Sequence, residues 1–157
     1  PLLELVKKAN KQKASAIIIG CFDDTGLEQA REISLCPVLG IGESSFLLSY
    51  LFSGETAVIT TVHEAVPIIK KNIKNAGYST LISEVIAADV EVLDLEFSPA
   101  QSAVKFAQAS KALNGSTQNI ILGCAGAVKI KDEFETITGY KSFDGVTSAA
   151  KLCRALL

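Results

Sequence analysis

Residues 17–21 read IIIGC, and residues 120–124 read IILGC. Each is an apolar run, then a glycine, then a cysteine. The correspondence continues past the thiol: Gly42 lies 21 positions after Cys21, and Gly145 lies 21 positions after Cys124. Around those glycines Ser44 and Ser45 answer to Thr147 and Ser148. Short, continuous apolar runs rich in Ile are the mark of strands buried on both faces. One structural unit is therefore used twice, and each copy places a cysteine at the end of a strand. Two related halves that each offer one thiol imply one active site with a cysteine on either side of the substrate.

Composition narrows the remaining choices. A chain of 157 residues holds one full domain or two small ones. At 48% hydrophobic and 20% charged residues it has apolar surface to bury, as a water-soluble globular protein does. The net charge is −2 and no basic run is longer than the pair Lys70–Lys71, which argues against a nucleic-acid partner. No apolar run approaches the roughly 20 residues of a membrane span, and no signal-peptide pattern opens the chain. The cysteines at 21, 36, 124 and 153 lack zinc-type C-x-x-C spacing and read as reduced thiols of a cytoplasmic protein. The chain starts at Pro1, without an initiator Met, which reads as a piece of a longer protein.

Periodicity predicts alternating helices and strands. Helices are expected over residues 2–13, 25–34, 46–52, 64–76, 99–112, 127–138 and 146–157. Strands are expected over 14–20, 37–41, 56–61, 90–95, 119–123 and 141–144. Asp23 or Asp24 is a candidate cap for the second helix, Ser44 or Ser45 for the third, and Ser98 for the helix that begins at Pro99. Gly77 stops the helix before it. Strands alternating with helices of about 10–15 residues give βαβ units and a parallel sheet. Ligands of such sheets bind beyond the carboxyl ends of the strands, where Cys21 and Cys124 both fall.

Each cysteine is expected just before a helix start, and a helix N-terminus lowers a thiol pKa. Gly20 and Gly123 would let a ligand approach the backbone closely. The amides of Phe22 and Ala125 are candidate donors to an oxyanion. A lone cysteine after a buried strand is more often a small core residue than a nucleophile. Two at equivalent repeat positions, each preceded by Gly, point to function instead. Cys36, before Pro37, and Cys153, on the inner face of the last helix, read as packing residues. His63, the only His, reads as a cap or a surface residue, and Asp23 and Asp24 read as a solvated cap. No serine stands in a nucleophile elbow, and one His with scattered carboxylates speaks against a metal site.

The segments IIIGCFDDTGLEQAREI, PVLGIGES, VITT, IILGCAG and FDGV, in that order, resemble the hydantoin/allantoin racemase branch of the aspartate/glutamate racemase superfamily. The two cysteine motifs are the specific part of the resemblance. In aspartate and glutamate racemases proper, Asn-Thr usually follows the first cysteine and Thr the second. Here Phe22-Asp23 and Ala125-Gly126 stand in those places, which points from free amino acids towards a cyclic ureide. The resemblance implies a racemase that uses neither cofactor nor metal. Cys21 and Cys124 would face opposite sides of the stereocentre. One, as thiolate, removes the proton next to a carbonyl; the other, as thiol, returns one to the opposite face. Glu43, Thr60 and Thr61 would line the cleft. Family members also begin with a strand and a Pro/Asn-rich loop that this chain lacks, so the natural protein is expected to be longer and the chain alone to have little activity.

The expectation is an α/β fold of two pseudo-symmetric flavodoxin-like parallel-sheet halves, lacking N-terminal strands, with the active site between them. The first half spans 1–53 and the second 54–145, with the last helix, 146–157, packed back on the first. The expected partner is a small-molecule substrate, a cyclic ureide or amino-acid derivative, with neither nucleic acid nor membrane, and the expected assembly is a homo-oligomer. An aspartate/glutamate racemase, a maleate-type cis-trans isomerase, an arylmalonate-type decarboxylase and a non-catalytic small-molecule-binding domain remain as alternatives. The decarboxylase needs only one active-site cysteine, and the paired motif argues against it.

Overall fold

A computed structural model describes all 157 residues, Pro1–Leu157. Helix α1 (Leu2–Lys11) leads into β1 (Ile17–Ile19), α2 (Leu27–Ile33), β2 (Val38–Gly40) and α3 (Ile41–Tyr50). Then come β3 (Glu55–Thr60), α4 (Ala65–Asn75), β4 (Ile82–Ala87), the short α5 (Asp94–Phe97) and α6 (Pro99–Ser110). Strand β5 (Thr117–Gly123) is followed by a 3-10 turn (Ala125–Lys129), α7 (Lys131–Thr138), β6 (Lys141–Asp144) and α8 (Gly145–Leu156). All strand pairings are parallel. β1 and β2 form one sheet, and the other runs β4-β3-β5-β6.

Side chains alternate across a strand, and the four-stranded sheet uses both faces. Ala57, Ile59, Ile120 and Leu122 point to one side, where Leu95, Phe106, Ile130 and Phe134 of the α5–α7 layer cover them. Val58 and Ile121 point to the other, against Ile41 and Phe46 of α3, Ile69 of α4 and Ala149 of α8. A third, smaller core joins Val6, Leu27 and Ala30 of α1 and α2 to Ile19 and Val38 of the two-stranded sheet. Ile59 is fully buried; truncating such a side chain to Ala costs about 2–5 kcal/mol.

The sequence repeat is a structural repeat. β1-α2-β2-α3 and β5-α7-β6-α8 are each a parallel strand pair followed by a helix, and α3 packs against α8. The helix pair also bridges the two sheets, since α8 contacts β2 as well as β6. Close approach at the helix starts needs a missing side chain. A Cβ on Gly145 would lie 2.7 Å from the Ile41 carbonyl oxygen.

Several expectations are corrected. β1 is shorter than residues 14–20 and is not buried on both faces, because Ile18 of this two-stranded sheet is 43% exposed. The strand expected over 90–95 is a turn and the short helix α5, while β4 lies earlier, at Ile82–Ala87. Alternation in ADVEVLDL imitates a strand, but Val90 and Leu95 anchor a turn in the core while Val92 and Leu93 face solvent. α3 begins at Ile41, ahead of Ser44 and Ser45, and Ser45 Oγ instead donates to the Gly42 carbonyl at 2.6 Å. The Ser98 side chain makes no cap bond. Gly77 does stop α4, with φ +83°.

The helix junction generates a stability test. Gly145→Ala should cost about 1–3 kcal/mol by overpacking against backbone. Gly115→Ala, whose added Cβ meets nothing within 4 Å, should stay within about 0.5 kcal/mol of the parent. Urea denaturation of both variants checks this, and equal stabilities would contradict the close-packed junction.

Candidate active site

Parallel pairing sets both cysteines at carboxyl ends of strands. In the first sheet Ile19 pairs with Gly40, so Cys21 emerges beside the start of α3. In the second, Leu122 pairs with Asp144, so Cys124 emerges beside the start of α8. The starts of α3 and α8 meet at Ile41 and Gly145. The two thiols therefore flank one helix junction. Cys21 is exposed and Cys124 partly buried. Cys36 and Cys153 are partly buried elsewhere, with Cys36 beside the Ser34 hydroxyl.

Neither thiol stands at the N-terminus of a regular helix. Two turns separate Cys21 from α2, and Cys124 precedes only the 3-10 turn. Burial pushes the Cys124 thiol above its ordinary value. The amides of Gly126 and Ala125 pull it back, and the charges of Cys21 and Asp23 push it up again. Burial wins, so the expected lowering by a helix end is reversed at this residue.

The other candidates fall into two groups. Thr60 pairs with Gly123 across the β3–β5 register, one residue before Cys124. Its hydroxyl donates to the Gly123 carbonyl at 2.9 Å, and both Thr60 and Thr61 are buried. The amide of Ala125 faces the Cys124 sulfur. Gly123 is small for packing: an added Cβ would meet Val58 and Thr60 at 3.0 and 3.2 Å. Gly20, by contrast, has open space around it. Phe22 carries Cys21 into the fold, its ring buried edge-on against Phe46 of α3. Glu43 forms a two-pronged ion pair with Arg31 and helps to line a cavity of about 410 Å³ that neither cysteine lines. His63 is exposed and faces Asp89 at 3.0 Å. No group of three or more His, Cys, Asp or Glu side chains is arranged to hold a metal ion.

Sequence reasoning missed the part played by Asp24. It caps α3 rather than α2, its carboxylate accepting from the Gly42 amide at 3.1 Å and the Glu43 amide at 2.7 Å. Its φ of +49° turns the loop back toward that helix, a conformation that Asp tolerates better than most residues. Asp144 caps α8 locally, accepting from the Thr147 amide at 2.7 Å. An Asp just before a helical run is a legible signal, and that second cap was there to be read.

This molecule is thus an α/β protein built on a duplicated strand–helix–strand–helix unit, with one thiol after the first strand of each copy. The Asp/Glu/Hydantoin racemase family profile matches residues 1–153, and the chain belongs to that family. It is 36% identical over 159 residues to a hydantoin racemase of Rhizobium meliloti, covering 99% of this chain and 66% of that protein. An allantoin racemase from Klebsiella pneumoniae superposes with a TM-score of 0.89 at 26% identity, over 99% of this chain and 64% of that one. A glutamate racemase from Bacillus anthracis shares the fold, with a TM-score of 0.76 at 18% identity over 99% of this chain and 62% of that one. The chain spans slightly less than two thirds of the length of these relatives. No helix is long and apolar enough to cross a membrane.

Asp24 makes stability depend on pH in a defined direction. Burial, its largest influence, raises it from 3.8 to about 6; the amides of Glu43 and Gly42 and the Arg31 charge oppose this, and the Glu43 charge adds to it. Asp23, Glu28 and Lys71 line the same cavity. The folded chain therefore holds the proton more tightly than the unfolded one. That contribution is full below pH 4 and is lost as pH rises through about 6. Relative to Asp24→Asn, the parent should lose up to about 3 kcal/mol of stability over that interval. Urea denaturation of both proteins between pH 4 and 7.5 measures it; a difference that does not change with pH would contradict it.

Proposed function

We propose that this chain carries the paired thiols of a cofactor-independent racemase acting on a carbon acid next to a carbonyl, a 5-substituted hydantoin or allantoin. Cys21 and Cys124 are the two bases. A thiolate takes the proton from the stereocentre, and the electron pair moves onto the carbonyl oxygen. The opposite thiol then gives its proton to the other face and becomes the thiolate. Two groups are needed because a single base tends to return the proton to the face it came from. The Phe22 amide, which makes no hydrogen bond within the chain, is free to donate to the developing oxyanion. Thr60 and Thr61 form the wall beside Cys124.

One observation carries this reading. The thiols occupy equivalent ends of a duplicated unit, each just past a parallel strand whose neighbour leads into one of the two helices that meet at Ile41 and Gly145. Family membership and the 36% identity to a hydantoin racemase support the ureide class. Two thiols that must stay reduced suit a cytoplasmic protein, and a homo-oligomeric assembly belongs to the same proposal.

The test is proton exchange. The full-length protein that contains this chain is incubated in D2O with single enantiomers of 5-substituted hydantoins and of allantoin, following optical rotation and deuterium at the stereocentre. The parent should lose rotation and take up deuterium, while Cys21→Ser and Cys124→Ser each lose racemisation by at least about 100-fold. Unchanged racemisation in either variant removes that cysteine from the mechanism. The absence of both rotation change and exchange with every one of these substrates sinks the ureide reading.

A further inference from the structure

Three features tie the Cys21 loop to α3 and α4, and the Asp24 carboxylate is the polar tie to α3. Phe22 packs edge-on against Phe46, with ring centroids 6.0 Å apart. The Asn72 side chain of α4 donates to the Asp23 carbonyl at 2.6 Å. The Asp24 carboxylate accepts the amides of Gly42 and Glu43. The fit of that carboxylate against Gly40 and Gly42 is close. A Cβ on Gly40 or Gly42 would overlap it, and one on Gly42 would also overlap the Phe22 carbonyl oxygen. Both glycines therefore make room for a side chain that comes from 16 to 18 residues earlier in the chain.

A helix cap does not require this arrangement. Ser, Thr or Asn at the helix start serves as well, and α8 is capped by the local Asp144. Here the carboxylate is partly buried at a cost to stability, and its backbone takes a left-handed turn that most residues avoid. What the remote cap adds is a mechanical link. It joins the third residue after Cys21 to the first turn of α3. That turn abuts Gly145 of α8, and α8 continues β6, whose neighbour β5 carries Cys124.

We propose that Asp24 is a positioning residue that sets Cys21 against Cys124 by clamping the Cys21 loop to the α3 end of the helix junction. It acts through Cys21 and does not itself touch substrate. Arg31 and Glu43, paired beside it, hold the outer side of the same helix turn. The proposal rests on the two-thiol reading for its effect on turnover, but the clamp itself is measurable without substrate.

The experiment compares the parent with Asp24→Asn, which keeps the shape and one acceptor, and Asp24→Ala, which keeps neither. Three readouts are taken: hydrogen exchange of the Gly42 and Glu43 amides, iodoacetamide alkylation of each cysteine mapped by mass spectrometry, and kcat and KM for hydantoin racemisation. In Asp24→Ala the two amides should exchange at least about 10-fold faster. Alkylation of Cys21 should change at least about 3-fold, with Cys36 and Cys153 unchanged. kcat should fall at least about 10-fold with KM within about 3-fold, because geometry rather than binding is lost. Asp24→Asn should lie between parent and Ala in all three, and it carries the test if the Ala variant does not fold. Unchanged amide exchange, or unchanged Cys21 alkylation, overturns the proposal whatever the turnover. If the parent does not racemise hydantoins while exchange and alkylation shift as stated, the substrate reading fails and the clamp stands.

Discussion

The packing of α3 against α8 is the contact on which the arrangement of the two thiols depends. The two sheets share no strand pairing, so no backbone ladder fixes one relative to the other. The link is made by side-chain packing, with Ile41, Phe46 and Ala149 in one core beneath Val58 and Ile121, and by the approach of Gly145 to the Ile41 carbonyl. Packed interiors transmit displacement because they have little free volume. A shift of α3 along α8 would therefore move Cys21 relative to Cys124 without disturbing either sheet.

The fold is duplicated, but its charges are not. Asp23 and Asp24 follow Cys21 at two and three residues, while Gly126 and Ala127 follow Cys124 at the same distances. The helix ends are capped differently too, α3 from the loop by Asp24 and α8 by Asp144 at its own start. Cys124 receives two backbone amides and sits deeper, and Cys21 is exposed. Pseudo-symmetry supplies two thiols, and the broken symmetry makes their surroundings unequal. A two-base reaction needs the pair to hold one proton between them, and unequal surroundings decide which thiol holds it at rest.

Much of this was legible in the sequence, for identifiable reasons. The apolar runs before Cys21 and Cys124 are local and strong, and they placed both cysteines at strand ends. The repeat spacing then predicted two like units, and the motif order pointed to the family. What escaped the sequence was set by tertiary contacts. β4 was missed because ISEVIA is an edge strand with an irregular burial pattern. The start of α3 was misjudged because its cap comes from Asp24, and no signal within a few residues of Ile41 reveals it. The upward push on Cys124 depends on burial against the core of the large sheet, which a strand-end motif does not encode. The resemblance named Glu43 as a cleft residue, and its ion pair with Arg31 is a tertiary contact that no motif encodes.

The central claim is that one substrate lies between Cys21 and Cys124, and substrate protection tests it most directly. Iodoacetamide alkylation of each cysteine would be measured at increasing concentrations of a hydantoin already equilibrated between its two enantiomers, so that no net reaction occurs. The account predicts that Cys21 and Cys124 are protected together, with the same half-protecting concentration, while Cys36 and Cys153 are unaffected. Protection of only one of the pair, or at clearly different concentrations, would contradict a shared site.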